Sequence, residues 1–387
     1  MNLERLKNTT ILLFGKSRAF SQEEFFSQLL HHSIVTVKKY EDGVEIAVEG
    51  RMMTPYEQND SEALYEEKKV EFITIDVLET LLAKEIDSDT LLMSLKLSHD
   101  KSRLKDFLTN TMISDELFFR LLKMYSFSNE DFFENDDNRD ISAAFISRFY
   151  ENIERNHNVQ YATTGFIHLV AQTQSVELLK AISELKPLKF HPKIEMAIAM
   201  SLYIDESMQR RFLKSADEKI LEALSFNKKL SKSIVEKFID DETLGSNVAR
   251  SIELDVKLFN LAQNYPTALA LNDTLTAQMQ EQLLALNIKE VNFALSLNDN
   301  LDEKIMQTLL KSEDNDIKSS IYENASVPID VLEEAYKKGK YLGSLAKNEN
   351  TPVEILYQLQ LDARYERDVK TNASFGRHIQ TENIGWL

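Results

Sequence analysis

The apolar positions of this chain change period as it runs. TTILLF at residues 9–14 is a β-branched and apolar block that predicts a strand. SQEEFFSQLLHHS at 21–33 shifts to a helical period. Phe25, Phe26, Leu29 and Leu30 form its stripe, Ser21 is the N-cap, and Glu24 is the capping-box partner. IVTVKKY and VEIAVEG alternate with a period of two and predict two strands joined through the turn EDG as a hairpin. SEALYEEK predicts a short helix, VEFITI a strand and IDVLETLLAKEI a closing helix. Residues 1–86 therefore read as a small α/β domain in the order βα, ββ, αβα.

Residues 87–200 keep the helical period and read as a connecting region. SDELFFRLLKMY (114–125), ISAAFISRFYENI and GFIHLVAQTQSVELLKAI all follow it. Between the first two lies SNEDFFENDDNRD (128–140), acidic and rich in Asn. It lacks the Asp-x-Asp-x-Asp-Gly spacing of a calcium loop and reads as a solvated loop.

From 201 to 387 the pattern becomes periodic. LALNDTLTAQMQEQLLAL, LSLNDNLDEKIMQTLLKS, SIYENASVPIDVLEEAYKKG and SLAKNENTPVEILYQLQLD align, and VKTNASF starts a last copy. Their asparagines are Asn272, Asn298, Asn324, Asn348 and Asn372, spaced 26, 26, 24 and 24 residues apart. Asn227 marks an earlier copy, and SLYIDESMQRRFLKS a fainter one. Such a period is that of a solenoid, in which no unit buries its faces alone and neighbours must stack. Each copy reads as a short apolar helix, an Asn corner and a longer helix. Asn suits the corner because its side chain satisfies backbone groups where the first helix stops. Pro328 and Pro352 stand at the starts of second helices, where a missing amide costs nothing. The fold class is thus α+β overall, a small α/β domain followed by a mostly α-helical solenoid.

Composition narrows the chemistry. Only 9 Gly and 6 Pro in 387 residues favour long helical stretches. The net charge of -18 repels polyphosphate backbones and disfavours direct nucleic-acid binding. The chain has no Cys, which removes disulfides, thiol nucleophiles, iron–sulfur clusters and Cys-type zinc sites. There is no apolar leader segment and no run of membrane-spanning length, so a cytoplasmic location and no membrane partner are expected.

No catalytic constellation emerges. Gly15-Lys16-Ser17 resembles the end of a phosphate-binding loop, but the first glycine of that motif would fall at Thr10, inside the strand. This excludes an ATPase loop. Lys16 and Ser17 remain where an anion could meet a helix N-terminus, and a solvated turn is the other reading. The seven histidines form neither His-x3-His nor HExxH, and His31-His32 end a helix. Asp136-Asp137 and Asp240-Asp241 are two carboxylate pairs among 63 acidic residues, and FIDDETLG around the latter reads as a solvated corner. Trp386, in ENIGWL, either caps the last repeat or anchors another protein. No metal and no cofactor are implied.

The strand ending at Gly15, the strand ending VEG at Gly50 and the strand running into ITIDVLETLL together resemble a BRCT domain over residues 8–86. That resemblance implies a protein-interaction module. It does not extend to phosphopeptide recognition, because Phe14 stands where the family often has Thr or Ser, TPYEQNDSEAL offers no phosphate-binding Lys, and Val77 replaces the usual Trp or Phe. SLAKNENTPVEILYQLQLD is similar to the leucine-rich repeat variant family, with Asn348, Thr351, Pro352, Ile355 and Leu359 supplying its core. That resemblance implies alternating α and 3-10 helices. It fades toward residue 200, where a HEAT-like helical pair describes the chain equally well. The expected function is a non-enzymatic scaffold or adaptor that binds a protein partner. The alternative is a DNA-repair or replication-associated factor contacting DNA or a DNA-bound protein. The oligomeric state stays open.

Overall fold

β1 (Thr10–Phe14) carries four consecutive buried apolar residues, Ile11 to Phe14. A strand buried on both faces belongs in the middle of a parallel sheet. The computed structural model, which describes residues 2–150, 162–215 and 217–381, places it there. His157 and Trp386 lie outside the described residues. Contacts within the chain define two units, Met1–Ile194 and Glu195–Leu387.

In the first unit, β2 (Val35–Val37), β3 (Ile46–Glu49) and β4 (Glu71–Thr74) join β1 in the order β2-β1-β3-β4, every pair parallel. The expected β2–β3 hairpin is therefore not formed. The two strands pair with β1 on opposite sides, because the N–H and C=O groups along each edge of this buried strand need a partner. EDG lies on the crossover between them.

The helices α1 (Gln22–His31), α2 (Pro55–Glu67) and α3 (Ile75–Lys84) accompany the sheet. On α1, Phe25 and Leu29 are buried, while Phe26 and Leu30 of the expected stripe face outward. Its capping box is half made: Ser21 accepts from the Glu24 amide, but the Glu24 carboxylate turns to Gln28 and Arg103. α2 starts well before SEALYEEK, because Thr54 and Glu57 form a complete capping box and Pro55 occupies the first turn.

Past the parallel register, two glycines let β1 and β3 approach. The Gly50 amide donates to Phe14 O at 2.8 Å, and Lys16 and Arg51 exchange backbone bonds at 2.8 and 2.9 Å. A Cβ on Gly50 would lie 2.5 Å from Phe14 O, and one on Gly15 2.5 Å from Arg51 O. Gly15 also has φ +68°, which disfavours any side chain.

The unit continues with α4 (Ser88–Ser98), α5 (Lys101–Thr109), α6 (Asp115–Leu122), α7 (Asp136–Phe149), α8 (Ala162–Gln172) and α9 (Val176–Ser183). Its core is aromatic: Phe118, Phe145, Phe166 and Phe132 follow one another at ring separations of 5.5, 5.4 and 4.9 Å. The stretch read as a solvated loop is only partly one. Asn135 caps α7, which takes in the carboxylates from Asp136 onward, as a helix N-terminus favours. Phe132 and Asn138 within it are buried.

The second unit is built of helices in two layers. Glu218–Ser225, Glu242–Ser251, Pro266–Ala270, Lys289–Ser296, Asn315–Glu323, Leu342–Lys347 and Glu366–Thr371 each pack on the next. The intervening helices, from Glu206–Ser215 to Ala373–Thr381, form the second layer. Among the described residues both layers are α-helical, so the 3-10 helices implied by the leucine-rich repeat variant resemblance are not seen there. Buried residues recur four apart, as Val291 with Leu295 and Ile317 with Ile321, a spacing that an α-helix aligns and a three-residue turn does not.

The corner asparagines are almost fully buried and reach backward into the preceding repeat. Asn298 Nδ2 donates to Ala270 O at 2.9 Å and Asn272 O at 2.8 Å. Asn324 does the same to Ser296 O and Asn298 O, Asn348 to Tyr322 O and Asn324 O, and Asn372 to Ala346 O and Asn348 O. In each case Oδ1 accepts the amide two residues on, as from Asn300 to Asn298 at 2.8 Å. Asn227 and Asn272 begin the ladder with Ser201 O and Ile252 O among their acceptors. Ile252 marks a repeat that has no asparagine. Its place in the stack is held by a backbone bond from Glu253 N to Lys228 O at 2.9 Å. Buried Gln209 and Gln280 add forward bridges to Lys229 O and Asn300 O. Thr351 donates to Leu345 O at 2.7 Å, and Pro328 and Pro352 sit at the N-caps of second-layer helices.

Among the described residues, no helix is long and apolar enough to cross a membrane. The ladder yields a prediction. Asn298→Ala orphans two buried carbonyls and lowers stability by about 2–4 kcal/mol. Asn298→Asp costs more, because a carboxylate faces the same two carbonyls. Chemical-denaturation midpoints check both, with the exposed Gln278→Ala expected to match the parent.

Candidate functional site: the cleft at the carboxyl end of the sheet

The strand order leaves β2 and β3 diverging from β1, the switch point at which open α/β sheets bind ligands beyond their carboxyl ends. A cleft of about 480 Å³ lies there. Leu13, Phe25, Phe26 and Met52 line its apolar part, and Lys16 and Lys38 bring positive charge. Leu13 and Phe25 are buried, whereas Met52 is 83% exposed, so the floor belongs to the core and the rim to solvent.

The anion-binding groups expected beside Lys16 and Ser17 are engaged from within the chain. Glu79, on α3, is fully buried, and its Oε1 accepts from Ser17 Oγ at 2.7 Å, Arg18 N at 2.7 Å and Ala19 N at 3.0 Å. Its Oε2 has no hydrogen-bond partner. Glu57, at the start of α2, accepts the Gly15 amide at 3.1 Å through Oε1 and the Thr54 amide at 2.8 Å through Oε2. These bonds, from Thr54 first and Gly15 second, hold the Glu57 carboxyl below the usual glutamate range. Lys38 Nζ donates to Leu13 O at 3.3 Å, and the Lys16 side chain is exposed. An external phosphate at this turn would therefore compete with two resident carboxylates. What the cleft offers freely is apolar surface with charge at its edge. Phe14 is buried in the sheet and Val77 is 42% exposed.

Sequence reasoning missed Glu57 and Glu79 as the partners of this turn. Glu57 was within reach, since Thr54-Pro-Tyr-Glu57 is a capping box with Pro in the first turn. Glu79 carried no local signal, because its partners lie about sixty residues away.

A second polar group was also invisible in the linear chain. His191 Nε2 meets Asp131 Oδ1 at 2.5 Å, and its Nδ1 meets Thr163 Oγ1 at 2.7 Å. The ring stacks on Phe132 with centroids 5.3 Å apart. This hydroxyl–imidazole–carboxylate chain ties the segment before α7 to α8 and to the end of the 3-10 turn Lys186–Phe190. His31 and His32 pack edge to face at the end of α1, and burial, then His31, pushes His32 down. Asp241 caps the helix Glu242–Ser251. Among the described residues, no group of three or more His, Asp or Glu is placed to hold a metal ion.

Comparison with protein-family models, curated proteins and solved structures returns no match for this chain.

Two outcomes follow. The Glu57–Gly15 contact persists above the ordinary glutamate range and is lost as pH falls through the lowered value of Glu57. The Gly15 amide shift, followed by NMR with labelled glycine, should titrate at that depressed midpoint, and Glu57→Gln should abolish the titration. Glu79→Ala removes the acceptor of three donors and should cost about 2–4 kcal/mol. It also opens the turn to anions: inorganic phosphate should raise the melting temperature of this variant and leave the parent unchanged.

Proposed function

We propose that this chain is a non-enzymatic scaffold that binds protein partners through its helical-repeat surface and a BRCT-like N-terminal module. The observation that carries the reading is the asparagine ladder. It turns the polar corners of the repeats inward, onto the backbone of their neighbours, and leaves a long surface on which the same helical positions recur once per repeat. A stack of that kind serves best as a template for another chain.

The BRCT-like description of the first unit draws support from its parallel β2-β1-β3-β4 order and from the close approach at Gly15 and Gly50. Its cleft suits an apolar side chain of a partner better than a phosphate, because Glu57 and Glu79 already occupy the turn. The leucine-rich repeat variant likeness rests on the Asn348–Thr351–Pro352 corner, whose polar groups are all engaged.

Charge weighs against the DNA-contacting alternative. Residues 1–194 hold 32 acidic and 23 basic side chains, and residues 195–387 hold 31 and 22, so each unit carries -9. Neither half is a basic module tethered to an acidic one.

The test is cross-linking of the full chain in its native cell, identification of the partner, and titration calorimetry with that partner purified. A stoichiometric complex of micromolar or tighter affinity at physiological salt is expected. Retarded migration of duplex DNA at the same salt, with no protein complex, would reverse the assignment.

A further inference from the structure

We propose that the first-layer face of the repeats between residues 196 and 299 binds an extended protein segment carrying an apolar residue at every third position with Lys or Arg beside it. This rests on the scaffold reading and adds the place and chemistry of the partner.

In three of the earlier copies the residue just before the ladder position ends a first-layer helix in the same backbone geometry. Phe226, Leu271 and Leu297 have φ/ψ of -85/-2, -88/-2 and -88/-9°. Their amides bond three residues back, to Ala223, Ala268 and Ala294. The next residue in each case is a ladder asparagine fastened to the preceding repeat. These side chains therefore stand at equivalent places in the stack.

With Met200, which precedes Ser201, they form an apolar column interrupted only at Ser251. Met200 is 50% exposed and Leu297 48%. Phe293, one turn before Leu297, widens the column and is 39% exposed. The column is not a by-product of the repeat. In the later copies the same position is Glu323, Lys347 and Thr371, and Glu323 pairs with Lys347 at 3.1 Å. Phe226 and Leu271, between the exposed Met200 and Leu297, are half-buried, and Leu271 packs partly on the core; the position is apolar in the earlier part of the array and polar beyond Asn298.

The residue after each ladder position sets the charge of the rim. Glu253, Asp273 and Asp299 are exposed there. Leu202 and Lys228 are the exceptions: Leu202 is apolar, and Lys228 is paired with Asp273 at 2.6 Å. The rim is thus negative beside an apolar column, which selects a ligand with apolar and positive side chains together. Spacing decides its conformation. Packed helices lie about 8–10 Å apart, and a polyproline-II chain advances about 9 Å in three residues. An extended segment therefore places one side chain per repeat, whereas a helix returns a side chain to the same face only after seven residues, about 10.5 Å, and overshoots that spacing.

The experiment uses the full chain and fluorescein-labelled peptides of five Leu-Pro-Lys triplets, read by anisotropy. Controls are a peptide of the same composition in scrambled order and five Leu-Pro-Glu triplets. The ordered basic peptide should bind, the scrambled one more weakly and the acidic one not at all. Phe293→Ser with Leu297→Ser should weaken binding at least about tenfold. Asp273→Asn with Asp299→Asn should weaken it severalfold and flatten its salt dependence. Circular dichroism and denaturation midpoints equal to the parent exclude misfolding, and Leu297→Ala alone serves should the double variant fail to fold. Equal binding of ordered and scrambled peptides, or full affinity in the Phe293/Leu297 variants, overturns the proposal. A native partner still captured by those variants leaves the scaffold reading standing and removes this site from it. Loss of every partner complex in the parent removes both.

Discussion

The second half of this molecule depends on one exchange: a side-chain amide from each corner satisfies backbone carbonyls of the repeat before it. Asn is suited to this because its amide donates twice and its oxygen accepts once more, all from one short side chain. At Asn298 all three bonds are 2.8 or 2.9 Å, and the residue is 2% exposed. Those carbonyls belong to helix ends that lack intrahelical partners. Unmatched and buried, each would cost about 1–3 kcal/mol, so the ladder removes a penalty that stacking itself creates. It also sets the rotation of each repeat on the last, since a displaced hairpin would separate donor from acceptor. The gap at Ile252 shows the constraint from the other side. There a backbone amide takes over, and the following spacing shortens to the 20 residues between Ile252 and Asn272.

The first unit solves a related problem with carboxylates. Parallel strands end in loops whose amides point toward helix N-termini, a setting that attracts anions. Here Glu57 and Glu79 supply the anion internally and fasten α2 and α3 to the turn after β1. The glycines at 15 and 50 allow the backbones to close on each other at that place. The same contacts that stabilise the sheet's end thus decide what its cleft can accept. An outside ligand meets apolar floor and lysine edge rather than a ring of free amides.

Both halves therefore turn their strongest polar groups inward, on neighbouring backbone. What faces outward is acidic overall, with apolar side chains at selected positions. It is on this combination of shape and charge that the proposed recognition of another chain rests.

The apolar rhythm of the chain was enough to locate the strand at 10–14, the helices after residue 87 and the repeats around Asn272 to Asn372, because those signals are local and periodic. It was also enough to see that Asn belongs at the corners. Three things lay beyond it. The partners of the asparagines are in the preceding repeat, 20 to 28 residues back, so their role is visible only once hairpins stack. The parallel pairing of β2 and β3 with β1 depends on burial of both faces of β1, not on the alternation within either strand. The Asp131–His191–Thr163 chain joins residues up to sixty positions apart. Sequence alone determined the elements and their repeat; tertiary structure decided which polar groups meet, because hydrogen bonds between distant segments leave no period in the chain that forms them.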